Sequence, residues 1–407
     1  MQCGLLGAKL GHSYSSIIHK FLGSYTYRLY EKEPDEIKNF LENGAWDAVN
    51  VTIPYKQAVI PYCDSLSDVA ARLGAVNTLV RQKDGKLIGH NSDYFGFDNM
   101  LSKSGLAVSG KKVLVLGTGG ASKVACAVLK EHGSNVIVIS RTGENHYGNL
   151  QQHADAAVIV NTTPVGMFPK TGVSPLSLAL FPNLEGVLDA IYNPARTQLL
   201  LDAKKRGLVA MNGLLMLVAQ AKEAAEWFTG TKIEDKKILD IYKKLKNQAE
   251  NIVLIGMPGC GKSTVGQILA AKTGKKFVDA DTLIVEKAGC TIPEIFADCG
   301  ETAFRQLETQ VLAEIGMQSG LVIATGGGCV TRDENYPLLH QNGCIFLIER
   351  ELNSLSREGR PLSLGTDLNE MYRIRKPMYE RFADYHVLNQ TPEEAAAEIL
   401  RIWEENL

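Results

Sequence analysis

The chain lacks any hydrophobic run approaching the roughly 18 residues of a bilayer-crossing helix, and it lacks a surplus of charge of either sign. Lysine and arginine number 43 against 45 aspartate and glutamate, a net charge of -2. Without a basic excess there is no electrostatic footprint for nucleic acid, and without an acidic tail there is no solvating, disordered arm. The eight cysteines contain no C-x-x-C pair and no metal-ligand spacing. Zinc is therefore not expected, and reduced thiols in a cytoplasmic protein are. The first residues, Met1, Gln2, Cys3, Gly4, Leu5 and Leu6, lack the charged start and apolar core of an export signal. What remains is a chain whose partners are small molecules, with neither a membrane nor nucleic acid expected and the oligomeric state open.

Short apolar runs alternate with helix-like stretches along most of the chain, at 48–51, 113–116, 136–139, 157–160 and 187–188, then at 252–255, 321–324 and 344–348. That alternation predicts a parallel α/β architecture. A length of 407 residues leaves room for about two to three domains. The stretch 231–250 is rich in Lys, Glu and Asp and has no glycine; its Ile238, Ile241, Tyr242 and Leu245 recur at helical spacing, so a helical linker is expected.

Two glycine-rich loops follow apolar runs. The second, with Gly256, Gly259, Gly261, Lys262, Ser263 and Thr264, fits G-x-x-x-x-G-K-[ST] without a mismatch. Its backbone N–H groups should cradle the phosphates of a nucleoside triphosphate, Lys262 should reach the β and γ phosphates, and Ser263 should ligate Mg²⁺. The first loop, with Gly117, Gly119, Gly120 and Ala121, has no lysine and no metal-binding hydroxyl in that place. It suits a dinucleotide, whose pyrophosphate needs close backbone approach at a helix N-terminus.

Around the first loop lie motifs with a family likeness. Gly11-His12-Ser13-Tyr14-Ser15 resembles the H-S-x-S loop of shikimate dehydrogenases, and Asn50-Val-Thr52-Ile-Pro54-Tyr-Lys56 resembles that family's N-V-T-x-P-x-K. The segments around Asn77, Asp93, Asn161, Tyr192 and Gly213 to Gln220 then follow in family order. The resemblance implies a substrate-binding domain beside a Rossmann NADP-binding domain, and 3-dehydroshikimate as substrate. Hydroxyls of Ser13 and Ser15 would donate to the substrate carboxylate, and Thr52, Asn77 and Gln220 would pair with ring hydroxyls, with Tyr192 in the same substrate set. Reducing a ketone creates an alkoxide that needs a proton. Lys56 is the candidate acid and Asp93 its orienting ion-pair partner; a solvated lysine and a loop-capping aspartate are the plain alternatives for either residue taken alone.

The cofactor set comprises Gly117, Gly119, Gly120, Ala121, Ser140, Arg141, Thr142, Asn161 and Gly213. A NAD-binding unit ends its second strand in Asp or Glu, about 20 residues past the glycines. Here Ser140, Arg141 and Thr142 stand there, and Arg141 can pair with a 2′-phosphate, which favours NADP(H). Three departures from the family stand out. No second basic residue follows Arg141, Glu144 lies close by, and the stretch 141–158 is short, as though a helix and strand had been trimmed.

From 251 onward the pattern resembles shikimate kinase. Asp279 and Asp281 match its D-x-D, Phe304-Arg305-Gln-Leu-Glu308 its F-R-x-x-E, Gly326, Gly327 and Gly328 its triple glycine, Arg360-Pro-Leu362 its lid and Arg375-Lys-Pro-Met-Tyr379 its R-x-P-x-Y. The resemblance implies that Arg305 and Arg375 fork the shikimate carboxylate and the glycines let backbone approach the ring. Asp281 would bind and steer the attacking hydroxyl, Asp279 would support Mg²⁺ beside Ser263, and Lys262 with Arg360 would stabilise the transferring phosphoryl group. Glu308 would orient Arg305.

Taken together, the expectation is a substrate-binding domain at 1–98 plus about 213–230, an NADP-binding domain at 99–212, a linker at 231–250 and a P-loop kinase of α/β/α type with a parallel sheet at 251–407. The implied activity is bifunctional, with one site's product serving as the other's substrate. NAD-dependent quinate or shikimate oxidation, and a shikimate-sensing regulator without turnover, are the alternatives.

Overall fold

The computed structural model describes residues 1–11, 14–352, 355 and 368–405. The chain divides into two compact units, one made of Met1–Val165, Ser174–Tyr192 and Asp202–Tyr242, the other of Gly166–Val173, Asn193–Leu201 and Lys243–Leu407.

The first unit holds two sheets. The N-terminal sheet runs in the order Thr26–Glu31, Gln2–Gly7, Ala48–Val51, Thr78–Arg81, Leu87–His90, Ser65–Leu66. It is mixed, which differs from the parallel reading of the strand alternation. Thr78–Arg81 runs antiparallel to both of its neighbours. Towards Leu87–His90 the reason is local: only the turn 82–86 joins the two strands, and a parallel return needs a crossover of about a dozen residues or more.

The second sheet is parallel throughout, in the order Val209–Met211, Gly186–Asp189, Val158–Asn161, Lys112–Leu116, Asn135–Ile139. The strand order reverses at Lys112–Leu116, where the first glycine loop emerges, and in open α/β sheets that crevice is where ligands bind. Between Ile139 and Val158 there is a single bridge, Ser140 to His146, and a 3-10 turn, Tyr147–His153. The sheet therefore ends at Asn135–Ile139, and the shortness of this stretch shows as the absence of a further edge strand. Val113, Val115, Val158 and Val160 are fully buried and pack with Phe97, Met100 and Leu101 from helix Asp93–Ser104. That helix lies against Leu214–Thr229, and Gly96 makes the approach possible: a methyl there would sit 2.7 Å from the Met216 carbonyl.

Helix Lys236–Ala249 follows, with Ile238, Ile241 and Leu245 buried at the spacing read from the sequence. The second unit is built on a five-stranded parallel sheet, ordered Lys276–Asp279, Leu321–Ala324, Asn251–Ile255, Gly343–Glu349, Tyr385–Leu388. Asn251–Ile255 is central and buried along its whole length, as its continuous apolar run requires. The second glycine loop leaves its carboxyl end and enters helix Lys262–Thr273. Among the described residues no helix is long and apolar enough to cross a membrane.

Candidate active sites

In the first unit, the loop after Ala48–Val51 delivers Thr52 and Lys56 to the end of the N-terminal sheet. The Thr52 N–H donates to the Leu6 carbonyl at 2.9 Å, tying it to strand Gln2–Gly7, and the Lys56 carbonyl accepts from Val76 N at 2.7 Å, just ahead of strand Thr78–Arg81. Asp93 opens helix Asp93–Ser104, its N–H donating to Asn91 Oδ1 at 3.1 Å. Lys56 Nζ donates to Asp93 Oδ2 at 2.5 Å, with the lysine side chain 25% exposed and the carboxylate 8%. Such a sheltered pair attracts more strongly than the same charges in open water, and it fixes where the ammonium protons point.

Asn77 stands close by. Its Oδ1 accepts from Ser92 N at 2.8 Å, Thr78 Oγ1 at 2.9 Å and Ser92 Oγ at 3.3 Å, which leaves the amide nitrogen as the end available to a ligand. Gln220 lies on helix Leu214–Thr229 opposite Gly96, a turn beyond Asp93. Tyr192 meets Tyr14 edge-on with centroids 5.7 Å apart, and burial raises both phenols above their ordinary range. Ser15 begins helix Ser15–Leu22 and hydrogen-bonds the Tyr27 phenol. Ser13 lies outside the described residues.

The first glycine loop has the geometry a pyrophosphate needs. Gly117 turns with φ +104, and a side chain there would crowd Thr162 and Thr163 at 3.1 Å. Gly119 caps helix Gly120–Glu131, Ala121 sits in its first turn, and a methyl on Gly119 or Gly120 would meet nothing within 4 Å. The space before the helix N-terminus is thus open to an anion. Ser140, Arg141 and Thr142 follow strand Asn135–Ile139, with the Ser140 hydroxyl donating to the Thr142 carbonyl. Arg141 is exposed, as is Glu144, and Arg141 has no ion pair among the described residues. Two members of the expected cofactor set stand further back. Asn161 is wholly buried, its Oδ1 accepting from Thr163 N and Oγ1 at 3.0 and 2.7 Å and its Nδ2 donating to Asp189 Oδ1 at 3.0 Å. Both ends are spent on ordering the loop after Val158–Asn161. Gly213 caps helix Leu214–Thr229 against the Ala190 carbonyl, which a side chain would strike.

In the second unit a cavity of about 340 Å³ gathers Lys262, Ser263, Thr264, Asp279, Asp281, Arg305, Arg375 and the triple glycine, together with Gly259, Gly261, Glu308 and Arg350. Gly256 lies behind the loop, with φ +144, against the carbonyl of Ile348. Lys262 Nζ donates to the carbonyls of Gly256 and Met257 at 2.9 and 3.0 Å. Ser263 Oγ donates to Asp279 Oδ2 at 2.6 Å, while Asp279 Oδ1 accepts from Asp281 N at 3.0 Å. A hydroxyl and a carboxylate side by side, beside an open phosphate loop, are the hard oxygen donors that suit Mg²⁺, so these residues fit the metal as well as the nucleotide. Arg305 Nη1 pairs with Glu308 Oε2 at 2.8 Å, and Nη2 with Glu301 Oε1 at 3.2 Å. Arg375 and Tyr379 both donate to the Gly327 carbonyl. Gly326 leaves room for two acids, since a methyl there would lie 2.7 Å from Glu308 Oε1 and 2.8 Å from Asp281 Oδ1. Burial raises the Glu308 carboxyl above its ordinary value, against the pull of Arg305. Arg360 and the rest of the lid motif lie outside the described residues.

Comparison with known proteins agrees with this geometry. Residues 5–79 match the shikimate dehydrogenase substrate binding domain. A shikimate dehydrogenase (NADP(+)) from Clostridium perfringens (strain SM101 / Type A) is 35% identical over 266 residues, covering 60% of this chain and 97% of the relative. The chain belongs to the shikimate dehydrogenase family. Among solved structures, shikimate dehydrogenase 1 from Peptoclostridium difficile is 36% identical with a TM-score of 0.56, covering 60% of this chain and 97% of that one. Shikimate 5-dehydrogenase from Thermus thermophilus, solved with NADP(H) and shikimate, is 31% identical with a TM-score of 0.55, covering 60% of this chain and 99% of its own. Residues 258–404 match shikimate kinase, so a kinase domain follows the dehydrogenase region.

Some residues at the dehydrogenase site carry no assignment from the sequence. Tyr27 donates to Asn50 Oδ1 at 2.9 Å, and Asn50 Nδ2 reaches Asn77 O at 3.3 Å, linking Ser15 to Asn77 through one polar chain. His19 stacks on Tyr27 at 4.0 Å, and its Nδ1 lies 2.6 Å from the Tyr25 hydroxyl. Asn50 stood within a recognised motif, which was its one signal; Tyr27 and His19 had none.

Proposed function

We propose that the chain is a bifunctional enzyme that reduces 3-dehydroshikimate to shikimate with NADPH and then phosphorylates shikimate with ATP to shikimate 3-phosphate. The observation that carries this reading is the presence on one chain of an assembled Lys56–Asp93 pair and an assembled P-loop cavity. The domain division proposed is 1–98 with about 213–230, 99–212, a linker at 231–250, and 251–407.

At the first site NADPH supplies the hydride when bound. Ser13 and Ser15 hold the substrate carboxylate, while Thr52, Asn77 and Gln220 hold the ring hydroxyls, so the ketone is presented in one orientation. Lys56 donates a proton to the ketone oxygen as negative charge develops there, and Asp93 keeps the ammonium aimed and charged until it does. Gly119 and Gly120 leave room for the pyrophosphate, Arg141 pairs with the 2′-phosphate, and Asn161 holds the neighbouring loop in place.

At the second site Mg²⁺, when bound, offsets phosphate charge. Lys262 turns from the loop carbonyls to the phosphates, and Arg305 and Arg375 take the substrate carboxylate at the triple glycine. Asp281 then steers the 3-hydroxyl toward the phosphoryl group, so that catalysis rests on placement and charge. The kinase domain argues against quinate or shikimate catabolism, because phosphorylation commits shikimate onward. Eight cysteines with no C-x-x-C pair and no metal-ligand spacing favour the cytoplasm as the place of work.

The test is to incubate the purified chain with 3-dehydroshikimate and NADPH while following cofactor absorbance, then to add MgATP and assay shikimate 3-phosphate and ADP. Both steps proceeding is the expected result. Phosphorylation of added shikimate without NADPH oxidation would reduce the first unit to a binding or sensing module.

A further inference from the structure

We propose that Arg350 is a contact for the nucleotide phosphates in the kinase cavity, separate from the arginines that take the substrate carboxylate; the inference rests on the kinase reading above. Its place follows from strand register. Gly343–Glu349 pairs in parallel with Asn251–Ile255, Leu347 opposite Ile255. The next step sets Gly256 against the Ile348 carbonyl, and Arg350 leaves its strand alongside the phosphate loop. It is half-buried and lines the cavity.

The charge pattern of the cavity singles it out. Arg305 is paired with Glu308 and Glu301, Arg375 donates to the Gly327 carbonyl, and Lys262 is held by two loop carbonyls. Arg350 has neither a hydrogen bond nor an ion pair among the described residues. A guanidinium drawn partly out of water gains from an anion that comes to it, and its planar fork suits phosphate oxygens.

Topology decides which anion. Leu321–Ala324 and Gly343–Glu349 flank the central strand on opposite sides. The triple glycine, on which Arg305 and Arg375 converge, follows the first of these; Arg350 follows the second. The substrate carboxylate and Arg350 are therefore served from different edges of the central strand, and the anion bound by the loop beside Arg350 is the polyphosphate of the nucleotide.

The experiment uses the full chain and the variants Arg350→Ala and Arg350→Lys. The dissociation constant for ADP is measured by titration, the KM values for ATP and shikimate by kinase assay, and NADPH-dependent reduction serves as a check on folding. Arg350→Ala is expected to weaken ADP and raise the KM for ATP by roughly tenfold or more, the scale of one charge-assisted hydrogen bond. Shikimate KM and dehydrogenase rate stay unchanged, and Lys restores part of the loss. An ADP affinity within about twofold of the parent chain overturns the proposal, as does an equal loss in shikimate KM. If the parent chain fails to phosphorylate shikimate, the kinase reading falls, and the ADP titration still decides the role of Arg350.

Discussion

Lys56 and Asp93 are 37 positions apart in sequence and 2.5 Å apart in space. Each is delivered by a different device, the lysine by a loop stitched to the N-terminal sheet and the aspartate by the first turn of a helix whose other face is buried core. The pair is therefore part of the scaffold and does not wait for substrate to assemble. Lys56→Ala is expected to lower dehydrogenase turnover by about 10²–10⁴, the usual worth of a general acid, while ATP turnover on shikimate continues. A parallel loss of both activities would mean that the lysine supports folding.

For the kinase, Ser263 and Asp279 are the pair to separate. Ser263→Ala removes the hydroxyl that now donates to Asp279 Oδ2, and should raise the Mg²⁺ concentration needed for half-maximal phosphorylation by about tenfold. Lys262→Ala should abolish phosphorylation at any Mg²⁺ concentration. An unchanged Mg²⁺ titration in Ser263→Ala would place the metal elsewhere.

Arg141 offers a test of cofactor choice. Removing its charge by Arg141→Ala should raise the KM for NADPH several-fold more than that for NADH, because only the former carries a 2′-phosphate. Equal changes would show that Arg141 does not read that group.

Arg196 ties together the second unit. Its Nη2 pairs with Glu250 Oε1 at 2.6 Å and its Nη1 donates to the carbonyls of His340 and Gly343 at 3.0 Å each. Arg196→Ala would leave the Glu250 carboxylate buried without its partner, at a cost of about 3 kcal/mol. Thermal inactivation of the kinase should move to lower temperature, although position 196 lies well outside the residues matched to shikimate kinase. Unchanged inactivation would show that the segment is dispensable to that fold.

His19 sets a dependence on acidity. Burial lowers its pKa from 6.5 to about 3. Below 6.5 the unfolded chain takes up a proton that the native state refuses until about pH 3, so stability falls as pH drops through that window. The slope from this one group is at most about 1.4 kcal/mol per pH unit. Denaturant midpoints of the first unit between about pH 7 and pH 5 should fall in the parent chain, and less steeply in His19→Gln. Parallel slopes would exclude His19 as the group responsible.

The chain carries in its own order what short spacing encodes. The P-loop places its lysine and hydroxyl within a single turn, three consecutive glycines mark backbone that can be approached closely, and an apolar strand followed by glycines and a helix can fold in few ways. Tyr27 and His19 gave no such sign, because neither stands in a recognised motif and their stacking on each other joins residues from separate elements. Asn161 belonged to a recognised motif, yet its side chain turned out to be consumed by Thr163 and Asp189.

The sequence by itself determined the two nucleotide loops, the α/β succession, the helical stripe after Thr231 and the identities of the acids, bases and cations, since these depend on residue type and near neighbours. Tertiary structure decided the meetings that no motif named. It turned Thr78–Arg81 antiparallel, stacked His19 on Tyr27, seated Arg196 beside Glu250 and left Arg350 in the cavity without a counterion among the described residues. Each of those outcomes is a long-range contact, set by strand order and by the burial of polar groups that must find partners, and no local pattern in the chain specifies it.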